Sequence, residues 1–366
     1  MSLQPIRPLL FDPAFEVIPE DESETTAELV RTMRDIAETT YKNYGHAVRS
    51  VHAKSHGLVV GEMRVPALPA PFAQGVFARE TVVPVVLRFS TNPGDVLDDK
   101  VSTPRGLAIK LIGVEGERLP GSEGHVTQDF VMINAPAFTA STPKAFLANL
   151  KLLAKTTDKA PGTKEALSAV LRGAEALVEK MGGESGMLKS LGGHPKTHIL
   201  GETFYTAVPF LYGPHIAKLS VVPVSAELTA LTDAPVDLDD KPNGLRDAVC
   251  DFFAKHGGEW EVRVQLATDI DTMPIEDASV QWPENDSPYV AVARIRVAPQ
   301  ASWNASRVAA IDEGMAFSPW HGVAAHRPLG GVMRSRKPAY EMSANFRGER
   351  NGCPMSEPAQ APEPGE

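Results

Sequence analysis

The chain has two cysteines in 366 residues, Cys250 and Cys353. That excludes a disulfide framework and any thiolate metal cluster. It holds no Cys-x-x-Cys or His-Glu-x-x-His, so a zinc site is not expected. No run of ~18 apolar residues occurs, which removes a membrane-spanning helix. Positive charge is in deficit, with a net charge of −10. Non-specific nucleic-acid binding needs a basic face to displace counterions, so that class is set aside. The glycine clusters at Gly121-Ser122-Glu123-Gly124 and Gly192-Gly193-His194-Pro195 lack the strand-to-helix setting of a phosphate loop. The first residues, Met1 to Arg7, lack the apolar core of a signal peptide, and a cytoplasmic protein is expected.

What is present reads as a soluble globular chain. Apolar residues make up 43% and charged residues 22%. Residues 1–24 are rich in proline and acid and are read as an N-terminal arm. Between Thr25 and Tyr44, Leu29, Val30, Met33, Ile36 and Ala37 recur at helical spacing. β-Branched runs follow at Leu58–Val65, Thr81–Ser90, Gly106–Ile112 and Asp129–Asn134, bounded by Gly, Pro or Asn. Residues 143–200 turn helical, with Ala145–Lys155 and Lys164–Met181 rich in Leu, Ala and Lys. Strands return at Thr203–Tyr212, Ile216–Val222, Trp260–Ala267 and Tyr289–Val297, with a short helix at Asp247–Lys255. Helices are expected at Arg307–Gly314 and Gly330–Phe346, and residues 348–366 form a Pro/Glu-rich tail expected to be disordered. Two groups of four strands predict an α+β domain over 25–347. Its core would be an eight-stranded antiparallel barrel, wide enough inside for a ligand, with helices packed outside.

Two segments carry chemistry. Arg336-Lys337-Pro338-Ala339-Tyr340 sets a guanidinium four residues before a phenol, and such residues share a helix face. A nearby cation favours the ionised form of a phenol, as an anionic metal ligand requires. Far upstream lies Arg49-Ser50-Val51-His52-Ala53-Lys54, whose histidine titrates near working pH and can move protons.

These segments and four others, in order, resemble the heme catalase superfamily in its small, core-only branch. Arg49-x-x-His52-Ala53-Lys54 with Gly57 and Gly61 resembles the distal-histidine strand. Arg88-Phe89-Ser90-Thr91 resembles the next strand, and Thr103-Pro104-Arg105-Gly106-Leu107-Ala108-Ile109-Lys110 is similar to the family's Pro-Arg-Gly segment. Asp129-Phe130-x-x-x-Asn134-x-Pro136-x-Phe138 looks like the strand bearing the distal asparagine, and Trp282-Pro283 like a late barrel turn. Arg336-x-x-x-Tyr340, with Arg347 beyond it, resembles the proximal helix.

The resemblance implies heme b between barrel and proximal helix, with Tyr340 as the iron ligand and Arg336 supporting the phenolate. His52 would be the acid–base residue, held by Ser90, with Asn134 beside it as the distal amide. Arg49, Arg88, Arg105 and Arg347 would pair with the heme propionates. Val51, Phe138 and Phe146 would wall the pocket. Aligning Pro136 and Phe138 with the family's pattern puts Ile133 at the usual asparagine position. Strand side chains alternate faces, so either a bulge returns Asn134 to the pocket or the amide is lost.

The activity implied is that of a peroxidase with weak catalase turnover, acting on hydrogen peroxide or an organic hydroperoxide with a small organic electron donor. Trimmed extensions relative to large catalases would shorten access to the iron. The alternative is a fatty-acid hydroperoxide isomerase or lyase of allene oxide synthase type; that branch carries threonine where this chain has Val51. A homodimer is the expected assembly. The segment Phe317-Ser318-Pro319-Trp320-His321-Gly322 is expected to pack against the proximal helix. His194, His198, His215, His321 and His326 are read as surface or packing residues.

Overall fold

A computed structural model describes residues 7–154, 194–353 and 355–362. The expected helix Lys164–Met181 lies outside the described residues. Among the described residues, nine strands form one antiparallel sheet: β1 (Ser55–Val65), β2 (Thr81–Thr91), β3 (Arg105–Ile112), β4 (Thr127–Ile133), β5 (Phe204–Tyr205), β6 (Phe210–Tyr212), β7 (His215–Pro223), β8 (Gly258–Leu266) and β9 (Val290–Val297). Their order is β5-β4-β3-β2-β1-β9-β8-β7-β6, and β5 also pairs with β7. That extra pairing closes eight strands into a barrel and leaves β6 hydrogen-bonded to β7 at its rim. The single run expected over Thr203–Tyr212 is split between β5 and β6, interrupted by Ala207 at φ 59 and Pro209.

Strand alternation sorts the side chains. Val85, Leu87 and Phe89 on β2, Leu107, Ile109 and Leu111 on β3, and Phe130 and Met132 on β4 point inward to one buried cluster. His326 is sealed within it, 5.6 to 5.8 Å from the rings of Phe77, Phe130, Phe210 and Tyr212. The barrel expected to hold a ligand inside is instead filled by these side chains. Residues of opposite parity, including Arg88, Ser90, Gly106 and Ala108, face outward, and the functional cleft lies on that outer face.

Among the described residues, the longer helices outside the barrel are α1 (Glu22–Tyr44), α2 (Pro143–Ala154), α3 (Gly244–Phe253) and α4 (Gly331–Asn351). Helix α1 buries Leu29, Met33 and Ile36 against Leu147 and Leu150 of α2 and Ala339 of α4. Arg334 on α4 binds Glu22 of α1, Glu276 and, in the N-terminal arm, Glu16. The arm is further tied down by Leu9 N–H donating to the Ala267 carbonyl at 2.7 Å. The helix expected over Arg307–Gly314 is a π-helical turn, Val308–Glu313. Such turns are uncommon and concentrate at functional sites.

The C-terminal tail was expected to be free, and its described part is docked. Ser356 N–H donates to the Gly314 carbonyl at 3.1 Å. The Glu357 carboxylate accepts from Lys110 and Thr127, each at 2.6 Å, and lies 3.0 Å from His321. Among the described residues, no helix is long and apolar enough to cross a membrane.

Candidate active site

A cleft of about 610 Å³, mouth included, separates the outer face of β2, β3 and β4 from α4 and α1. His52 and Ser90 line one side, and Tyr340, Ala339, Ser343 and Ala344 line the other.

His52 precedes β1 in left-handed backbone, φ 53. That conformation is uncommon for a non-glycine residue and is held only where neighbours fix it. Its N–H donates to the Asn92 carbonyl at 2.7 Å, and its own carbonyl accepts from Arg88 Nη2 at 2.9 Å. The ring Nδ1 lies 3.1 Å from Ser90 Oγ. Burial, with the nearby charges of Arg88, Arg336 and Arg49, lowers the imidazole to about 3, so it is neutral at ordinary pH.

On α4, Arg336 Nη2 donates to the Tyr340 hydroxyl at 2.7 Å, as the four-residue spacing predicts. The guanidinium also lies 5.1 Å from the centroid of the phenol ring. Arg336 itself stands behind the tyrosine and does not line the cleft.

Arg49, Arg88 and Arg347 form one rim of the cleft and converge on Asp312. Asp312 Oδ1 accepts from Arg49 Nη1 at 2.5 Å and Arg88 Nε at 2.8 Å, and Oδ2 accepts from Ser55 at 2.5 Å. Its main-chain carbonyl accepts from Arg347 Nη1 at 3.0 Å. The Met315 carbonyl accepts from Arg49 at 3.0 Å and Arg347 at 3.3 Å. The π-helical turn lets one residue present its side chain and its carbonyl to different arginines. Two guanidiniums thus share one buried carboxylate while a third takes the main-chain carbonyl of the same residue, and among the described residues Arg347 Nε is buried without a partner. Such an excess of positive charge calls for anionic groups from a ligand.

No family model matches the sequence, and no curated protein matches it. Solved structures do match. A fungal catalase shares 17% identity at a TM-score of 0.60, covering 96% of this chain and 66% of its own. Catalase A from Saccharomyces cerevisiae gives 17% and 0.59, covering 95% of this chain and 68% of its own. A bacterial catalase gives 16% and 0.57, with 99% and 69% covered. The chain has the catalase fold. It spans about two thirds of the length of those catalases.

Within this catalase fold, His52, Ser90, Val51, Arg49, Arg88, Arg347 and Tyr340 meet at one cleft, and several other expected residues do not. Arg105 is fully buried elsewhere: its Nη1 donates to Ser102 Oγ at 3.1 Å and to the Thr103 carbonyl at 2.9 Å, and it also meets His194. Asn134 follows the end of β4 and joins the same cluster. Its Oδ1 accepts from the Arg105 N–H at 3.0 Å, and Nδ2 lies 2.6 Å from His194 Nε2 and 2.5 Å from Glu202. Of the two alternatives read from the sequence, the bulge that would return the amide to the cleft is absent from the β3–β4 pairing, which runs in regular register, and the amide is lost from the cleft. Phe138 and Phe146 meet at a tilt, 5.2 Å between centroids, and pack against the buried clusters that contain Met333 and Leu147 respectively rather than lining the cleft.

Sequence reasoning missed Asp312, which has no motif around it; three arginines from separate segments, all expected at one pocket, were the available hint. Gly106 was noted only as part of a motif, yet it touches the His52 ring. The Phe317–Gly322 segment packs against α4 as expected, Trp320 Nε1 donating to the Met333 carbonyl at 2.8 Å, and Phe317 also lines the cleft.

Proposed function

We propose that the protein is a heme-dependent oxidoreductase that uses hydrogen peroxide, with peroxidase turnover of small organic donors and weak catalase activity. The observation that carries this is one cleft with an arginine-supported phenol on one wall and a neutral, hydroxyl-bound imidazole on the other. The donor set fits heme b: Tyr340 would ligate the iron, and Arg49, Arg88 and Arg347 would take its propionates. Bound there, a tyrosinate-ligated ferric heme supplies the redox chemistry that peroxide cleavage requires.

The chain's own residues handle the proton. With Nδ1 committed to Ser90, Nε2 of His52 is the atom free to take a proton from one peroxide oxygen and return it to the other. Anions seated on the arginines would cancel the part of the His52 depression due to Arg88 and Arg49, making the ring a stronger base when the cofactor is in place.

One observation favours a second reading, fatty-acid hydroperoxide isomerisation. Among the described residues, no side-chain amide lines the cleft, because Asn134 is bound to Glu202 and His194. Hydrogen peroxide carries two hydroxyls to satisfy; an alkyl hydroperoxide carries one, and an apolar chain that Val51 and Phe317 can receive. Val51 itself, where that branch has threonine, favours peroxide.

The test is a visible spectrum of the heme-loaded protein, followed by hydrogen peroxide with a phenolic donor and, separately, linoleate hydroperoxide. Donor oxidation or oxygen release supports the first reading. Loss of the lipid hydroperoxide without a donor moves the assignment to the second. No Soret band overturns both. A homodimer and a cytoplasmic location are part of the same proposal, and gel filtration and fractionation check them.

A further inference from the structure

An ideal Cβ placed on Gly106 would stand 2.4 Å from His52 Cε1 and 2.6 Å from its Nδ1, inside any permitted contact. The third neighbour is the Met132 carbonyl at 3.3 Å, on strand β4. Gly106 sits in β3, paired with Ser90 on β2 and Ile133 on β4, with no positive φ. Its lack of a side chain is therefore not a demand of its backbone. The absent side chain makes room for the imidazole, whose Nδ1–Cε1 edge lies against the strand.

We infer that Gly106 is a positioning residue: by admitting the Nδ1–Cε1 edge of His52, it fixes which nitrogen faces the cleft. This rests on the heme-peroxide reading for its consequence but not for its geometry. The ring is held from three directions. Ser90 Oγ engages Nδ1, the Asn92 carbonyl and Arg88 pin the left-handed backbone, and Gly106 supplies the seat. With the Nδ1 edge turned to β2 and β3, Nε2 is left for the substrate. A methyl group at 106 would push the ring off the strand, break the Ser90 contact and misalign the base.

The experiment is a double-mutant cycle on the full chain without cofactor, followed by loading. Gly106→Ala is made in the parent and in His52→Gly, where glycine suits the left-handed backbone. Gly106→Ala is expected to lower the melting temperature by about 3 °C or more in the parent. It should do so little or not at all once the ring is gone, because the clash partner has been removed. In the parent, the ¹⁵N resonances of the His52 ring should shift. After loading, Gly106→Ala should keep its Soret band while kcat/KM for the peroxide falls about 100-fold, the scale of a displaced general base. Ile109→Val, on the same strand but facing the barrel interior, should leave that rate intact. If Gly106→Ala does not fold in the parent but folds with His52→Gly, the inference stands. Equal destabilisation in both backgrounds, or an unshifted ring with full activity, overturns it. Failure of the parent to take up heme would instead sink the functional reading and leave the stability cycle unaffected.

Discussion

Arg88 donates through Nη2 to the main-chain carbonyl of His52, at 2.9 Å. Its Nε lies 2.8 Å from Asp312. One side chain thus ties the backbone of the proposed base to the carboxylate that organises the cationic rim. Replacing Arg88 with Lys keeps the charge but not the fork that makes both bonds. Arg88→Lys is expected to reduce turnover by about tenfold or more through loss of base placement. Steady-state kinetics on protein matched for heme content would check it; unchanged turnover would show that Asn92 and Ser90 hold His52 unaided.

Among the described residues, Asp312 is the sole carboxylate bound by Arg49 and Arg88, and those guanidiniums hold its carboxyl well below the usual range despite burial. Asp312→Ala strands the Arg49 and Arg88 cations beside a third, Arg347. Breaking a buried pair from one side costs about 3–5 kcal/mol. Chemical denaturation without cofactor should show that loss, and sulfate or heme should recover part of it by supplying the missing negative charge.

Tyr340→Phe removes one oxygen at a half-buried position, so thermal unfolding of the free chain should barely change. The charge-transfer bands of a ferric phenolate complex should vanish, and peroxide turnover should fall by about 100-fold or more. A protein that merely carried its ligand would keep it after this change.

Much of this was legible in the sequence because strands announce themselves by short β-branched runs between turn residues. Seven of the eight expected runs coincide with one strand each to within a few residues, as at β2 and β8. Tyr340 and Arg336 were legible because helix geometry is local. Asp312 was not, since its partners come from β2, α4 and the segment before β1, and its π-helical setting has no periodic signature. The orientation of Asn134 depended on register at a strand end and on Glu202, far along the chain. Tail docking was hidden because a Pro/Glu-rich composition says nothing about one glutamate meeting a buried lysine.

That glutamate sets a pH window for the tail. Lys110 and His321 lower Glu357 to about 2, and Asp129 with Glu357 raises His321 to about 9, both against the opposing effect of burial. The Glu357 contribution is present above its unfolded value near 4.5 and fades as pH falls towards 2. The His321 contribution is complete below about 6.5 and fades as pH rises through about 9. Hydrogen exchange at Ser356, corrected for intrinsic rate, should therefore be slowest between about pH 4.5 and 6.5. Glu357→Gln should raise it about tenfold or more, whereas equal exchange in both proteins would show that the Gly314 carbonyl holds the tail without the latch.

His326 makes the barrel acid-sensitive. Burial among aromatic rings lowers it to about 4, so below its unfolded value near 6.5 the unfolded chain binds a proton that the folded chain refuses. Stability is then lost as pH falls from about 6.5 to about 4. His326→Gln can still accept from Val76 N–H and donate to the Leu211 carbonyl, the two bonds the ring makes. Its melting temperature should be lower at neutral pH but flatter across that range; a parallel pH profile would assign the acid limb to other groups.

The first barrel strand to be made, β1, pairs with the last, β9, Glu62 opposite Arg296. During synthesis the chain emerges from its N-terminus, so β1 waits with one unpaired edge until residue 297 has left the ribosome. The proposed base appears early and its opposing phenol only with α4. A nascent chain stopped anywhere between them has half a cleft and an open sheet edge, the combination most prone to stick to another copy. Capture of the proposed cofactor would therefore have to wait for α4, and chaperone dependence should be greatest for chains arrested before β9.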